Sequence, residues 1–169
     1  MRGDELTELL SKHKKTGILI DANLFLLLVI GRHDKNLIPS FKRTSQFTIE
    51  DFDLLSGLVA LMGRVLTTPN ILTEVNSLAN QLGESLKGGC YAACAAFVES
   101  LAEERYLDSR SIVKSALFDR LGLTDIGILR LSEQNRLVLT DDLRPTGYLQ
   151  HENRDVINFN HIRMLNWNL

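Results

Sequence analysis

The run Ile18-Leu19-Ile20, inside "GILIDANLFLLL" (17–28), constrains the fold most. Three apolar residues in a row, without alternation, suit a strand buried on both faces. Such a strand belongs inside a parallel sheet, whose neighbours are joined by crossover connections, usually helices. "RVLTTP" (64–69), "RLVLT" (136–140) and "DVINF" (155–159) read as further strands, and "RYLD" (105–108) as a short one. Helical segments fall between them. Residues 1–15 read as a short amphipathic helix with Leu6, Leu9 and Leu10 on one face. A helix follows from Asn23 to about Ile30. Thr48 is placed to N-cap another, with Glu50 and Asp51 in its first turn, running to about Met62. Thr68 caps the next, with Pro69 at its first position. Residues 88–104 and 109–122 read as helices, the latter stopping at Gly122, and Thr124 caps one more. The alternation predicts an α/β domain, a three-layer α/β/α sandwich around a central parallel sheet.

The chain of 169 residues is long enough for one domain with a real core. The polar stretch 31–47, which carries Pro39, reads as an inserted connection. A formal net charge of −2 gives no global basic field, so nucleic-acid binding would need a local patch. Cys90 and Cys94, four apart on one helix face, read as small core residues of a reduced, cytoplasmic protein. A zinc site would need more ligands. The apolar run 24–30 is too short to span a bilayer, so it reads as a core helix and no membrane is expected.

Sites of parallel α/β sheets lie at the carboxyl ends of the strands. Asp21 ends the first strand, and Asp141 and Asp142 end "RLVLT". Asp125 falls in the first turn after Thr124, and Glu74 in the early turns of the helix after "VLTTP". Each has an ordinary structural role open to it. Asp21 can cap a helix, Asp125 and Glu74 can favour helix N-termini, and the Asp141–Asp142 pair can belong to a turn. Gathered together they imply more. Two carboxylates about 4 Å apart repel by roughly 4 kcal/mol at an effective dielectric of about 20. A hard divalent ion relieves such a cluster, and can also bind a phosphate oxygen and activate water.

These residues resemble the motifs of the PIN domain family. "ILIDANLFL" is similar to that family's opening strand, with Asp21 as its acid and Asn23 in its usual place. "TPNILTEV" resembles the second motif, with Glu74; "GLTDIGIL" the third, with Asp125; and "RLVLTDDL" the fourth. In the last, Thr140 and Asp142 match best, and Asp141 is the alternative. The likeness covers about 17–160. It implies an α/β/α nuclease fold in which Asp21, Glu74, Asp125 and Asp142 are catalytic. Asp21, Asp125 and Asp142, or Asp141, would hold Mg2+ or Mn2+. Asn23, Thr140 and Arg144 would contact substrate. The implied activity is metal-dependent endoribonuclease cleavage of single-stranded RNA by an ion-activated water. Many small members are toxins of toxin–antitoxin pairs and dimerise, so an antitoxin partner and a homodimer are further expectations. The chain departs from that pattern in its extra length, at 1–15 and 31–47, and in Ala22, where a hydroxyl residue is common.

Lys42, Arg43, Arg32 and Arg144 are candidates to track a nucleic-acid backbone, with Tyr148 as a stacking surface. His33, His151 and His161 are scattered and read as surface or structural residues. A haloacid-dehalogenase-like phosphatase would need a second Asp where Asn23 stands. A receiver domain would need an acidic pair and a late Lys. No P-loop or dinucleotide fingerprint is present. The alternative from another class is a non-catalytic PIN-like module that binds RNA or protein, with the placing of Glu74 as the discriminator. A DNA nuclease is a third reading, because metal chemistry is indifferent to the 2′-hydroxyl.

Overall fold

The unalternating run at 18–20 forms β1 (Ile18–Ile20), and all three side chains are fully buried. The computed structural model describes residues 3–166. Four further strands are β2 (Val65–Thr67), β3 (Ala102–Glu104), β4 (Leu137–Thr140) and β5 (Val156–Asn158). Among the described residues they form one all-parallel sheet in the order β3-β2-β1-β4-β5. The chain therefore builds outward from β1 in one direction, then returns to build in the other. The crevice above β1 and β4 is the switch point where such sheets hold ligands.

Helices cover the sheet as a three-layer α/β/α sandwich. Asp21 caps α2 (Ala22–His33), its carboxylate accepting from the Leu24 amide. Residues 24 to 30 of α2 have no exposed surface, so this helix is apolar all round and lies in the core. It packs against α3 (Ile49–Met62), α4 (Pro69–Ala79) and α5 (Glu84–Leu101). Phe25 meets Phe97 of α5 edge-on, ring centroids 4.9 Å apart. The capping expectations at Thr48 and Thr68 hold. Thr48 and Asp51 form a reciprocal capping box, and Thr68 accepts from the Ile71 amide with Pro69 in the first turn. The N-terminal helix, α1, spans Gly3–His13.

Three expectations need correction. Residues 102–104 are strand β3 rather than the end of a helix, and 105–108 is not the strand. Pairing with β2 decides this, since Val65, Leu66 and Thr67 align with Ala102, Glu103 and Glu104. Glu103 is held there between Arg64 and Arg105. Residues 109–122 are not one helix. A single turn, α6 (Ser109–Ile112), precedes α7 (Phe118–Ser132), which Gly122 interrupts at φ 72°. The expected break at Gly122 is real, because that backbone conformation favours a residue without Cβ. The expected cap at Thr124 is not seen: no capping bond to its hydroxyl forms among the described residues. After β4 the chain runs into α8 (Leu143–His151), and α9 (Phe159–Asn166) follows β5.

The connection 31–47 takes in the end of α2 and a short 3-10 turn, Lys35–Leu37. Ile38, Phe41, Thr44 and Phe47 are all buried, so the segment is anchored to the core. Among the described residues no helix is long and apolar enough to cross a membrane.

Candidate functional site

Asp21 is the first residue past β1 and is 7% exposed. One carboxylate oxygen accepts from the Leu24 amide at 2.9 Å, the other from the Asp141 amide at 3.0 Å. The Asp21 amide in turn donates to the Leu139 carbonyl at 3.2 Å. The ends of β1 and β4 are thus tied directly together. Burial, and then the charge of Asp141, push the Asp21 carboxyl up to about 8. The Thr140 hydroxyl and the two amides act against that rise without cancelling it.

Thr140 closes β4 and is buried, and its hydroxyl accepts from the Asp142 amide at 3.0 Å. Asp142 caps α8 by accepting from the Arg144 amide at 2.8 Å. Asp125 lies just beyond the break in α7. Its carboxyl is pushed up to about 6 by burial, then by the charges of Asp142 and Glu74, with Arg144 pulling the other way. Glu74 projects from α4 and is exposed.

Asp21, Glu74, Asp125 and Asp142 line one cleft of about 120 Å³, together with Ala22, Asn23, Thr124 and Thr140. No lysine, arginine or histidine is among these lining residues. The structure thus brings together four acids whose outermost members, Asp21 and Asp142, are 121 positions apart in the sequence. Glu74 does not point away from the set.

Asp141 stands apart from this lining. Its carboxylate accepts from Asn23 Nδ2 at 3.2 Å and from Gln46 Nε2 at 2.9 Å. Of the two adjacent acids, Asp142 faces the cleft and Asp141 braces it. Asn23 lines the cleft, and the acid it orients is Asp141. Behind the loop, Asn160 Nδ2 donates to the Asp141 carbonyl at 2.7 Å, and the Thr146 hydroxyl to the Asp142 carbonyl at 2.6 Å. Asn158 joins these, donating to Thr146 at 3.0 Å and accepting from the Asn160 amide. Sequence reasoning missed Gln46, Thr124, Thr146, Asn158 and Asn160. One signal was available: Asn158 ends β5 level with Thr140 at the end of β4.

The basic candidates divide. Arg32 lies 4.5 Å over the Phe97 ring, and Arg43 donates to Gln81 at 2.8 Å, so both have structural contacts. Neither they nor Lys42 line the cleft. Arg144 does not line it either, but its charge reaches Asp125.

Among the described residues no three His, Cys, Asp or Glu side chains gather into a ready-made metal cage. The donor set is nonetheless one a hard cation suits: oxygen only, anionic and without a protein counter-charge in the lining. An open carboxylate cleft fits Mg2+ or Mn2+ that keeps several waters better than it fits a closed structural site. The raised carboxyls fit too, since a bound divalent charge reverses the local preference for protonation. Comparison with protein-family models gave no match, and comparisons with curated proteins and with solved structures gave none either.

Proposed function

We propose that this chain is a PIN-like, Mg2+- or Mn2+-dependent endoribonuclease that cuts single-stranded RNA. One observation carries the reading: four acids taken from separate sequence motifs line a single cleft, with Asn23 and Thr140, at the switch point of a parallel sheet. The proposal extends to a cytoplasmic protein, with an antitoxin-like inhibitor and a second copy of the chain as partners.

A divalent ion held there supplies charge for a phosphate oxygen and lowers the pKa of a water. The rest of the work falls to the chain. Asp21, Asp125 and Asp142 would hold the ion, with Asp21 kept rigid by the Leu24 and Asp141 amides. Glu74, exposed at the rim, accepts the proton of the attacking water. Thr140 fixes the position of Asp142 through its amide. Asp141, held by Asn23 and Gln46, keeps the loop in place. Arg144 moderates the negative field that an incoming phosphate meets.

The test is cleavage of a labelled single-stranded RNA with Mn2+, with Mg2+ and with chelator, beside Asp125→Asn. Metal-dependent cutting that the variant loses is expected. The second outcome of this test is a non-catalytic binding module of the same fold. RNA bound but uncut under every metal condition decides for it. A deoxyribose version of the substrate separates RNA from DNA cleavage.

A further inference from the structure

The side of α8 that runs away from the acidic cleft has an unusual composition. Arg144, Gly147, Tyr148 and His151 recur at helical spacing and line one open hollow of about 400 Å³. A second hollow of about 210 Å³ lies between α8 and the first turn of α7, lined by Arg120, Leu121, Arg144 and Tyr148. Tyr148 and Arg144 border both. The hollows lie close to the cleft: Asp142 lines the cleft and caps the helix that carries Arg144 and Tyr148, and the Arg144 charge acts on Asp125.

Three features lack a structural explanation. The Arg120 and Arg144 guanidinium groups make no ion pair or hydrogen bond among the described residues. The Tyr148 hydroxyl makes none either. Gly147 sits within a helix, where glycine costs about 1 kcal/mol relative to alanine. Close packing does not account for it, since a Cβ built there has nothing within 4 Å. What the glycine does is leave the floor between Arg144 and Tyr148 bare.

We propose that Tyr148, Gly147, Arg144 and Arg120 form a nucleotide subsite that holds the RNA next to the scissile phosphodiester. This rests on the nuclease reading above and names where the substrate lies. An aromatic ring beside a bare helix floor offers a stacking face to any base, and two unpaired guanidinium groups offer donors to the adjoining phosphates. The charge complementarity is specific to this side. The cleft itself repels a polyanion until an ion is bound, so these arginines provide the attraction that holds the strand beside it. Stacking without base-edge donors predicts weak sequence preference at this nucleotide.

The experiment is fluorescence anisotropy with a labelled 12-nucleotide single-stranded RNA, in an Asp125→Asn background so that cutting does not intervene. Tyr148→Leu and Arg120→Gln are each expected to weaken binding about tenfold. The salt dependence should fall by about one phosphate contact for Arg120→Gln only. Gly147→Met fills the floor with a good helix former. It should therefore weaken binding while thermal stability is kept or raised, which separates the subsite from a folding defect. Arg110→Gln, at α6, is the control and should bind like the parent. Equal losses for Arg110→Gln and Arg120→Gln, or parent-like binding by Tyr148→Leu and Gly147→Met, overturns the subsite. If the Asp125-containing protein cuts in a metal-dependent way while the groove variants bind and cut like it, the subsite falls and the nuclease reading stands. If the groove variants lose RNA binding but no metal condition gives cutting, the subsite stands and the nuclease reading falls.

Discussion

Two aspartates at opposite ends of the same sheet have opposite fates. Asp155 precedes β5, at the amino end, and Asp21 follows β1, at the carboxyl end. Burial alone would raise the Asp155 carboxyl, but Lys12 at 2.5 Å and His13 at 2.6 Å outweigh it and hold it below the usual range. That pairing also satisfies the buried His13 ring and fastens α1 to the edge of the sheet. Among the described residues Asp21 has no such partner. Its neighbours are amides, a hydroxyl and another acid, and it is pushed up to about 8. The amino end shows that this chain can neutralise an acid when the fold needs it. The carboxyl end leaves four acids without a cation in the cleft lining, which is destabilising unless something from outside is bound.

The largest effect should come from removing a cleft acid. Asp21→Asn or Asp125→Asn should lower cleavage by about 100-fold or more, read from initial rates at saturating Mn2+. Asp155→Asn should leave those rates within about twofold. Equal losses at the two ends would erase the contrast.

Stability should respond the other way round. Asp155→Ala leaves His13 and Lys12 without their acid and should cost about 1–3 kcal/mol in chemical denaturation. Asp125→Asn should stabilise the metal-free protein at pH 8 by about 1 kcal/mol, after allowance for its partial exposure. A destabilised Asp125→Asn would mean that the cleft acids are structural.

The pH dependence separates the ends further. In metal-free protein the raised Asp21 and Asp125 keep protons that the unfolded chain loses near 3.8. Their contribution is fully present below about 4 and is lost as pH rises through about 6 and then about 8. Asp155 does the opposite: its contribution is present above 3.8 and is lost as pH falls through its lowered folded value. Thermal melts in chelator should show both limbs, and Asp125→Asn should flatten the upper one. Added Mg2+ should raise the melting temperature more at pH 8 than at pH 5. The smallest effect is expected from Gln46→Ala, which removes one exposed bond to Asp141 at 2.9 Å and should cost under about 1 kcal/mol.

The features legible in the sequence were those set by neighbours along the chain. β1 and β4 are apolar runs that end in acids, and Thr48, Thr68 and Pro69 announce their helices within a few residues. The cleft acids followed from strand ends and helix starts by the same local logic. What was not legible depends on partners far away. Ala102, Glu103 and Glu104 continue a helical pattern and become a strand only because β2 lies alongside. Asp141 and Asp142 are indistinguishable by position until Gln46, 95 residues away, takes one of them. Thr124 has the look of a cap, and only the turn of the chain at Gly122 brings it to the cleft.

The bond between the Asp141 amide and Asp21 spans 120 residues, and β1 is paired along one side by β4 alone. A chain emerging from the ribosome therefore carries β1 for most of its synthesis with that side open. During this time its most apolar strand offers a bare edge for wrong pairing. The arrival of residues 137 to 142 closes the edge and completes the cleft in one event. Fragments that stop short of it have neither a protected sheet nor a complete cleft. The bare edge of β1 and the completed acidic cleft are thus never present in the same molecule.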